Sequence, residues 1–261
     1  MSESAIELPS AVRERTLERF EEHRRAWDCN PALRTSYRDW YGMIRANLPP
    51  RELGPWVEIG SGPGFARHFI PELLLTDIVK ATWHDREMDA ESLPFEQGSV
   101  GALVLFDVLH HLAAPARFFA EADRVLRPGG RIAIIEPYVS PISRVVYGLF
   151  HEEPVILGVD PLAPARAAAD QVKDPFTSNQ AIPTLVFCRD HGRGFARAFP
   201  NLAVTCVRRM AGLAFPATGG LGRRPMLPFA LWRALYWVEG LLPEWAFRLV
   251  GFRMLVVIEK R

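Results

Sequence analysis

Cysteine is scarce in this chain. Cys29, Cys188 and Cys206 are the only three among 261 residues, an odd number at wide spacing. That leaves no basis for a disulfide framework or for the paired spacing of a zinc site, so reduced and mostly buried thiols are expected, with no metal. Net charge is equally scarce: 31 Lys and Arg against 30 Asp and Glu give +1. Proteins that hold nucleic acid usually carry a basic surface, so a small-molecule partner is expected and nucleic acid is not. No run of about eighteen apolar residues is available to span a bilayer. The N-terminal stretch MSESAIELPSAVRERTLERFEEHRRAW lacks the apolar centre of a signal peptide, which makes the cytoplasm the expected compartment.

What is present is ordinary globular material, 49% hydrophobic and 23% charged, at a length that suits one elaborated domain. Within it, residues 56–64, WVEIGSGPG, stand out. Trp56, Val57 and Ile59 form an apolar run broken only by Glu58, which suits a strand buried in a parallel sheet, and Gly60, Gly62 and Gly64 follow at once. A glycine turn there lets the backbone approach a bound nucleotide with no Cβ in the way, and a helix starting near Phe65 points its N-terminus at the ligand. The dinucleotide fingerprint has its third glycine three residues after its second, whereas Gly64 is two after Gly62.

Ahead of that turn, residues 10–28 and 33–47 carry helical periodicity, through Val12, Leu17 and Phe20 and then Leu33, Tyr37, Trp40, Tyr41 and Ile44. Residues 1–50 therefore read as a helical cap on a main domain of residues 51–261. Tyr37, Trp40 and Tyr41 read either as core packing or as a cover over the cleft. After the turn come a short helix near residues 65–70 and an apolar strand ending at Asp77, where nucleotide-binding α/β folds place a ribose-binding acid. Only the short segment 79–87 follows, which makes Asp85 the substitute for that role. Residues 101–106 and 131–135 read as further buried strands, with a helix over 115–126 between them. Residues 138–200 read as a lid over the substrate or as an outer helical layer. Residues 202–207 and 252–259 complete the strands. Residues 225–250 are dense in Leu, Phe and Trp and are interrupted by Arg233, Glu239 and Pro243, so they fit a buried helical hairpin, a dimer surface, or an apolar floor for a greasy substrate or lipid surface.

Four segments in order carry a family resemblance. Glu58-Ile-Gly-Ser-Gly-Pro-Gly64 resembles motif I of the class I S-adenosylmethionine (SAM) methyltransferases. Asp89-Ala90 with Leu93-Pro94-Phe95 resembles the next signature, Phe106-Asp-Val-Leu-His-His111 resembles motif IV, and LRPGGRIAIIEP at 126–137 resembles the family's helix-to-strand passage. The resemblance covers residues 55–137. It implies an α/β fold with a doubly wound, mostly parallel seven-stranded sheet whose last strand is antiparallel. It implies SAM as cofactor and S-adenosylhomocysteine as product, held by Glu58, Gly60, Ser61, Gly62, Gly64, Asp77, Asp89, Ala90, Phe106 and His111, with Asp89 accepting the adenine amino hydrogen. The motif IV and Leu-Pro-Phe patterns look closest to the branch that methylates quinones, sterols and other secondary metabolites at carbon or oxygen. The implied acceptor is a small, apolar or aromatic molecule. Candidates for a base that removes the acceptor's proton are His110, His111, Tyr138 and His151; framing the cofactor is the other reading of the two adjacent histidines. The Asn-Pro-Pro-Tyr signature of enzymes that methylate base nitrogens is absent. A non-methylating SAM-binding protein on the same fold is the alternative, favoured by the shortened segment 79–87. Monomer and homodimer both remain open, as does peripheral contact with a membrane.

Overall fold

The computed structural model describes residues 8–150, 153–163 and 178–261. Two helices open the chain, α1 (Ser10–Asp28) and α2 (Pro31–Asn47). Asn30 caps α2 by accepting the Leu33 amide at 3.0 Å, and Pro31 fills the first helical position, where its missing N–H has no partner to lose. Then follow β1 (Trp56–Ile59), β2 (Leu74–Asp77), β3 (Arg86–Glu87), β4 (Val100–Phe106), α3 (Pro115–Val125) and β5 (Leu126–Pro137). The remainder comprises α4 (Pro141–Phe150), α5 (Ile182–Phe187), α6 (Arg193–Ala198), β6 (Leu202–Met210), α7 (Ala214–Ala217), α8 (Phe229–Gly240), α9 (Phe247–Val250) and β7 (Arg253–Lys260).

The strands form one sheet in the order β3-β2-β1-β4-β5-β7-β6. β7 runs antiparallel to both β5 and β6, as expected, and the other pairings are parallel. The order reverses between β1 and β4, which opens a crevice at their carboxyl ends.

Helices cover both faces, so the strands bury near-continuous apolar runs. Val57, Ile59, Leu103, Leu105, Ile132, Ile134 and Val256 face the layer that holds Phe118 and Phe119 of α3, Phe187 of α5 and Phe195 of α6. The alternate residues Trp56, Val104, Phe106, Ala133, Ile135 and Val257 face Leu33, Tyr37, Trp40, Tyr41 and Ile44 of α2. The α2 aromatics are therefore core. The described part of the segment expected as lid or layer is a layer at α5 and α6, because their phenylalanines complete the core over α3. Residues 151–152 and 164–177 of that segment, His151 included, lie outside the described residues.

Two expectations fail. Cys29 is exposed, because it sits at the turn that ends α1, and Cys188 and Cys206 are only partly covered. The stretch 225–250 is not a buried hairpin: α8 buries one face and leaves the other open.

Candidate active site

The glycine turn leaves β1 with Gly60, Gly62 and Gly64 at φ +65°, +49° and +79°, the left-handed region that favours glycine. The space around two of them is closed: a Cβ would stand 2.6 Å from Val108 Cγ2 at Gly60 and 2.6 Å from Trp83 Cδ1 at Gly64. The loop is thus clamped between the exit of β4 and the short connection after β2. Trp83 Nε1 donates to the Gly62 carbonyl at 2.8 Å, and His84 Nε2 does so at 2.7 Å. The Ala81 amide donates to His84 Nδ1 at 3.0 Å, which places the ring proton on Nε2. From α1, Arg24 donates to the Pro63 carbonyl at 3.0 Å and lies 4.4 Å over the Trp83 ring. Sequence reasoning missed Trp83 and His84. The signal was the brevity of 79–87, which has no helix of its own and must hold the glycine loop by side chains.

Two buried acids flank this loop, and two more lie on the segments that follow β2. Glu58 is buried, accepts the Tyr41 hydroxyl at 2.8 Å on Oε1, and has no hydrogen-bond partner at Oε2 among the described residues. Burial pushes its carboxyl up to about 7, against the pull of the Tyr41 hydroxyl. Ser61 ties the turn to β2, its amide donating to the Thr76 carbonyl at 2.8 Å and its Oγ accepting the Thr76 amide at 3.1 Å. Asp77, buried, accepts the Gly62 amide at 2.9 Å on one oxygen and the Val79 amide at 3.0 Å on the other. Its carboxyl is raised by burial. A carboxylate has about four acceptor positions, so these bonds leave room for a ribose hydroxyl. Asp85 instead anchors structure, taking Arg67 at 2.7 Å and the Leu75 amide at 2.8 Å. Asp89 accepts the Glu91 amide at 2.9 Å in an Asx turn beside buried Ala90. Phe106 closes β4 with its ring 5.0 Å from Tyr41 and 4.7 Å from Tyr37.

At the mouth of β4, Asp107 adopts φ +58°, costly for a residue with a side chain, and is held there by its amide bond to Ile135 at 3.0 Å and its ion pair with Arg253. Glu136, at the end of β5, is fully buried. Its Oε1 accepts the Val108 and Leu109 amides at 2.7 and 2.6 Å, and its Oε2 stands 2.6 Å from His110 Nδ1. On the other side, His110 Nε2 is 3.4 Å and His111 Nε2 is 3.6 Å from the two oxygens of Glu153, which also takes the Gln180 amide. Burial alone would lower the His110 pKa, but the two carboxylates outweigh it and hold it raised to about 10. At neutral pH this ring is an imidazolium that donates from both nitrogens.

Donor atoms of His110, His111 and Glu153 lie within 4.8 Å of one another, as do those of Asp107, His110 and Glu136, so either group could reach a metal ion. Protonated His110 already pairs with Glu136 and Glu153, and Arg253 with Asp107. Tyr138 makes other contacts: its hydroxyl meets the Arg248 carbonyl at 3.4 Å and its ring lies 5.2 Å under the Arg209 guanidinium. Sequence reasoning missed Glu136, Glu153 and Arg253 as site residues. Only Glu136 had a local signal, a carboxylate closing an apolar strand.

Residues 57–134 match a protein-family model described as a methyltransferase domain. Among solved structures, a SAM-dependent methyltransferase from Thermotoga maritima, described as a possible histamine N-methyltransferase, is similar at 17% identity and a TM-score of 0.53, over 95% of this chain and 99% of that one. At that identity the likeness is one of fold. Geranyl diphosphate C-methyltransferase from Streptomyces coelicolor A3(2), in complex with Mg2+, geranyl diphosphate and S-adenosyl-L-homocysteine, is 16% identical with a TM-score of 0.43, over 85% of this chain and 77% of that one. A stretch of 49 residues is 51% identical to an uncharacterized 37.1 kDa protein in transposon TN4556 of Streptomyces fradiae, covering 19% of this chain and only 14% of that relative.

Proposed function

From a chain whose residues 57–134 belong to the methyltransferase domain family and whose seven strands form the class I sheet, we propose a SAM-dependent methyltransferase acting on O or C of a small apolar or aromatic acceptor. The observation that carries the cofactor assignment is Glu58. Among the described residues its buried Oε2 has no hydrogen-bond partner, and its carboxyl sits near neutrality beside a glycine turn whose Cβ positions at Gly60 and Gly64 are closed. A buried carboxylate left unpaired is costly, and a cationic ligand offsets that cost.

Glu58, Gly60, Ser61, Gly62, Gly64, Asp77, Asp89, Ala90, Phe106 and His111 would hold the cofactor. When bound, it supplies a methyl carbon on a positively charged sulfur, open to in-line displacement. The chain's own contribution begins with Glu136, which pins the Val108 and Leu109 amides and so fixes the turn that carries both histidines. His110, held as an imidazolium, lies against Glu153 and sets a positive charge at the cleft mouth, where an acceptor hydroxyl develops negative charge as it gives up its proton. His111, facing the other Glu153 oxygen, takes the acceptor's proton. Tyr138 is left with a packing role.

Calorimetry with SAM and S-adenosylhomocysteine, followed by mass spectrometry of apolar hydroxy and acidic-carbon metabolites incubated with methyl-labelled SAM, tests the reading. Binding that weakens in Glu58→Gln and Asp89→Ala, together with a labelled product lost in His111→Ala, is expected. Failure to bind either compound removes the cofactor assignment. The second reading, a SAM-binding protein that transfers no methyl group, has in its favour the shortened connection after β2, residues 79–87, which has no helix of its own. Tight SAM binding with no product from any acceptor class would support it.

A further inference from the structure

α8 has an inverted surface. Its inner face carries the polar anchors: Trp232 Nε1 donates to the Ala214 carbonyl at 2.7 Å, the Tyr236 hydroxyl donates to Asp39 at 2.9 Å, and buried Glu239 accepts the Ala214 and Gly212 amides at 2.8 and 3.2 Å. Its outer face is apolar, with Leu231 60%, Trp237 67% and Val238 51% exposed. A helix on a water-facing surface normally shows the reverse.

The apolar surface continues beyond the helix. α8 runs through exposed Leu241 and Leu242 into a turn carrying Trp245, 65% exposed, and then into α9 with exposed Leu249. α9 packs beside α4, which exposes Ile142, Val145, Leu149 and Phe150. Single exposed apolar side chains are ordinary, but a continuous set of this size marks an interaction surface. Its exposed charges are predominantly positive. Across residues 141–150 and 213–250 the exposed charged side chains are Arg144, Arg223, Arg224, Arg233 and Arg248 against Glu244 alone.

We propose that this face docks on an anionic lipid bilayer, with Trp237 and Trp245 at the headgroup level and the arginines against lipid phosphates. Tryptophan is favoured at that boundary, and an apolar face rimmed by basic residues is the pattern of helices that lie in the interface without spanning it. No described helix is long and apolar enough to cross a membrane. A second copy of the chain fits less well, because a two-fold contact through the same patch sets the two arginine rims against each other.

The test uses the full chain and needs no cofactor, so its failure is separable from that of the methyl-transfer reading. The probes are vesicles of phosphatidylcholine with and without phosphatidylglycerol, read by co-sedimentation and tryptophan emission. Binding to the anionic vesicles with a blue-shifted emission, weakened by added salt, is the expected result. The double variant Trp237→Glu with Trp245→Glu should lower partition at least about tenfold. Arg233→Gln and Arg248→Gln should each lower it roughly fivefold on anionic vesicles, the factor that corresponds to about 1 kcal/mol per arginine at such a surface. Unchanged circular dichroism and urea unfolding midpoints would show that the variants remain folded. Absence of partition to either vesicle, partition indifferent to all four substitutions, or a lipid-free dimer that the tryptophan substitutions split would each overturn the proposal.

Discussion

The Trp83 indole bonds the Gly62 carbonyl at 2.8 Å and at the same time closes the Cβ position of Gly64, 2.6 Å from Trp83 Cδ1. One side chain from the shortened connection after β2 therefore both fastens the glycine turn and dictates one of its glycines. The glycine loop owes its shape to that connection as well as to its own residues.

A double-mutant cycle follows from this pairing. Gly64→Ala must bear a left-handed backbone, which costs about 1–2 kcal/mol for an L residue, and must also displace the indole. In Trp83→Ala the obstacle is gone and only the backbone part remains. Urea unfolding of the four proteins should show a coupling of about 1 kcal/mol or more, with Gly64→Ala milder in the Trp83→Ala background. Strict additivity would mean that Trp83 does not clamp the turn.

Glu58 ties cofactor affinity to pH. Its carboxyl is raised by burial from 4.5 to about 7, so below that value a cationic ligand must expel a proton before it can pair with the carboxylate. SAM affinity is expected to be constant above pH 7 and to fall toward tenfold per pH unit below it, with Glu58→Gln weaker overall and flat. Stability of the free protein runs with the same titration. Between pH 4.5 and 7 the native state holds a proton that the unfolded chain has lost, so stability falls as pH rises through that window, and Glu58→Gln removes the slope. Isothermal titration across pH 5.5–8 reads the first effect and urea midpoints read the second.

His110 acts in a higher window and with the opposite chemistry. Its pKa, raised from 6.5 to about 10 by Glu136 and Glu153 against the opposing effect of burial, means that below 6.5 native and unfolded states are both protonated and the stabilisation is fully present. Between 6.5 and about 10 only the native state keeps the proton, so the contribution, on the order of a few kcal/mol, is lost as pH rises. Wild type should therefore lose stability from pH 7 to 10, while His110→Gln should start lower and show a flatter profile. Chemical shifts of the His110 ring that titrate near 6.5 would contradict the buried pair with Glu136.

How much of this was legible in the sequence depends on the range of the interaction. β1, β4 and β7 lie within a residue or two of their apolar runs, because strands buried on both faces advertise themselves by continuous Val, Ile and Leu. α1 and α2 follow from periodicity, and α2's aromatics are core as that periodicity suggests. The antiparallel last strand follows from family resemblance, since periodicity does not encode which strands are neighbours or how they run. β5 begins at Leu126, ahead of the apolar run at 131–135, because the Arg127–Gly130 segment runs on as an irregular start of the strand, paired to β4 across a register shift. The site residues that stayed hidden are those whose partners are far along the chain or are backbone. Glu153 meets His110 across more than forty residues, Arg253 meets Asp107 across 146, and Glu136 bonds two amides that have no letter in the sequence.

The orientation of α8 yields the sharpest contrast between neighbouring residues. Trp232 is fully buried, stacks 4.8 Å from Tyr236 and donates to the Ala214 carbonyl, whereas Leu231, one position earlier, is exposed. Trp232→Ala opens a cavity and leaves that carbonyl without its donor, a loss of about 3–5 kcal/mol. Leu231→Ala removes an apolar group already in water and should change stability by less than about 0.5 kcal/mol, with a small gain expected from better helix propensity. If α8 were rolled so that its apolar face met the core, the two values would exchange places, and the lipid-facing surface drawn from that face would vanish with them. Thermal or urea unfolding of these two single variants in lipid-free buffer therefore decides which side of α8 is inside, before any vesicle is added.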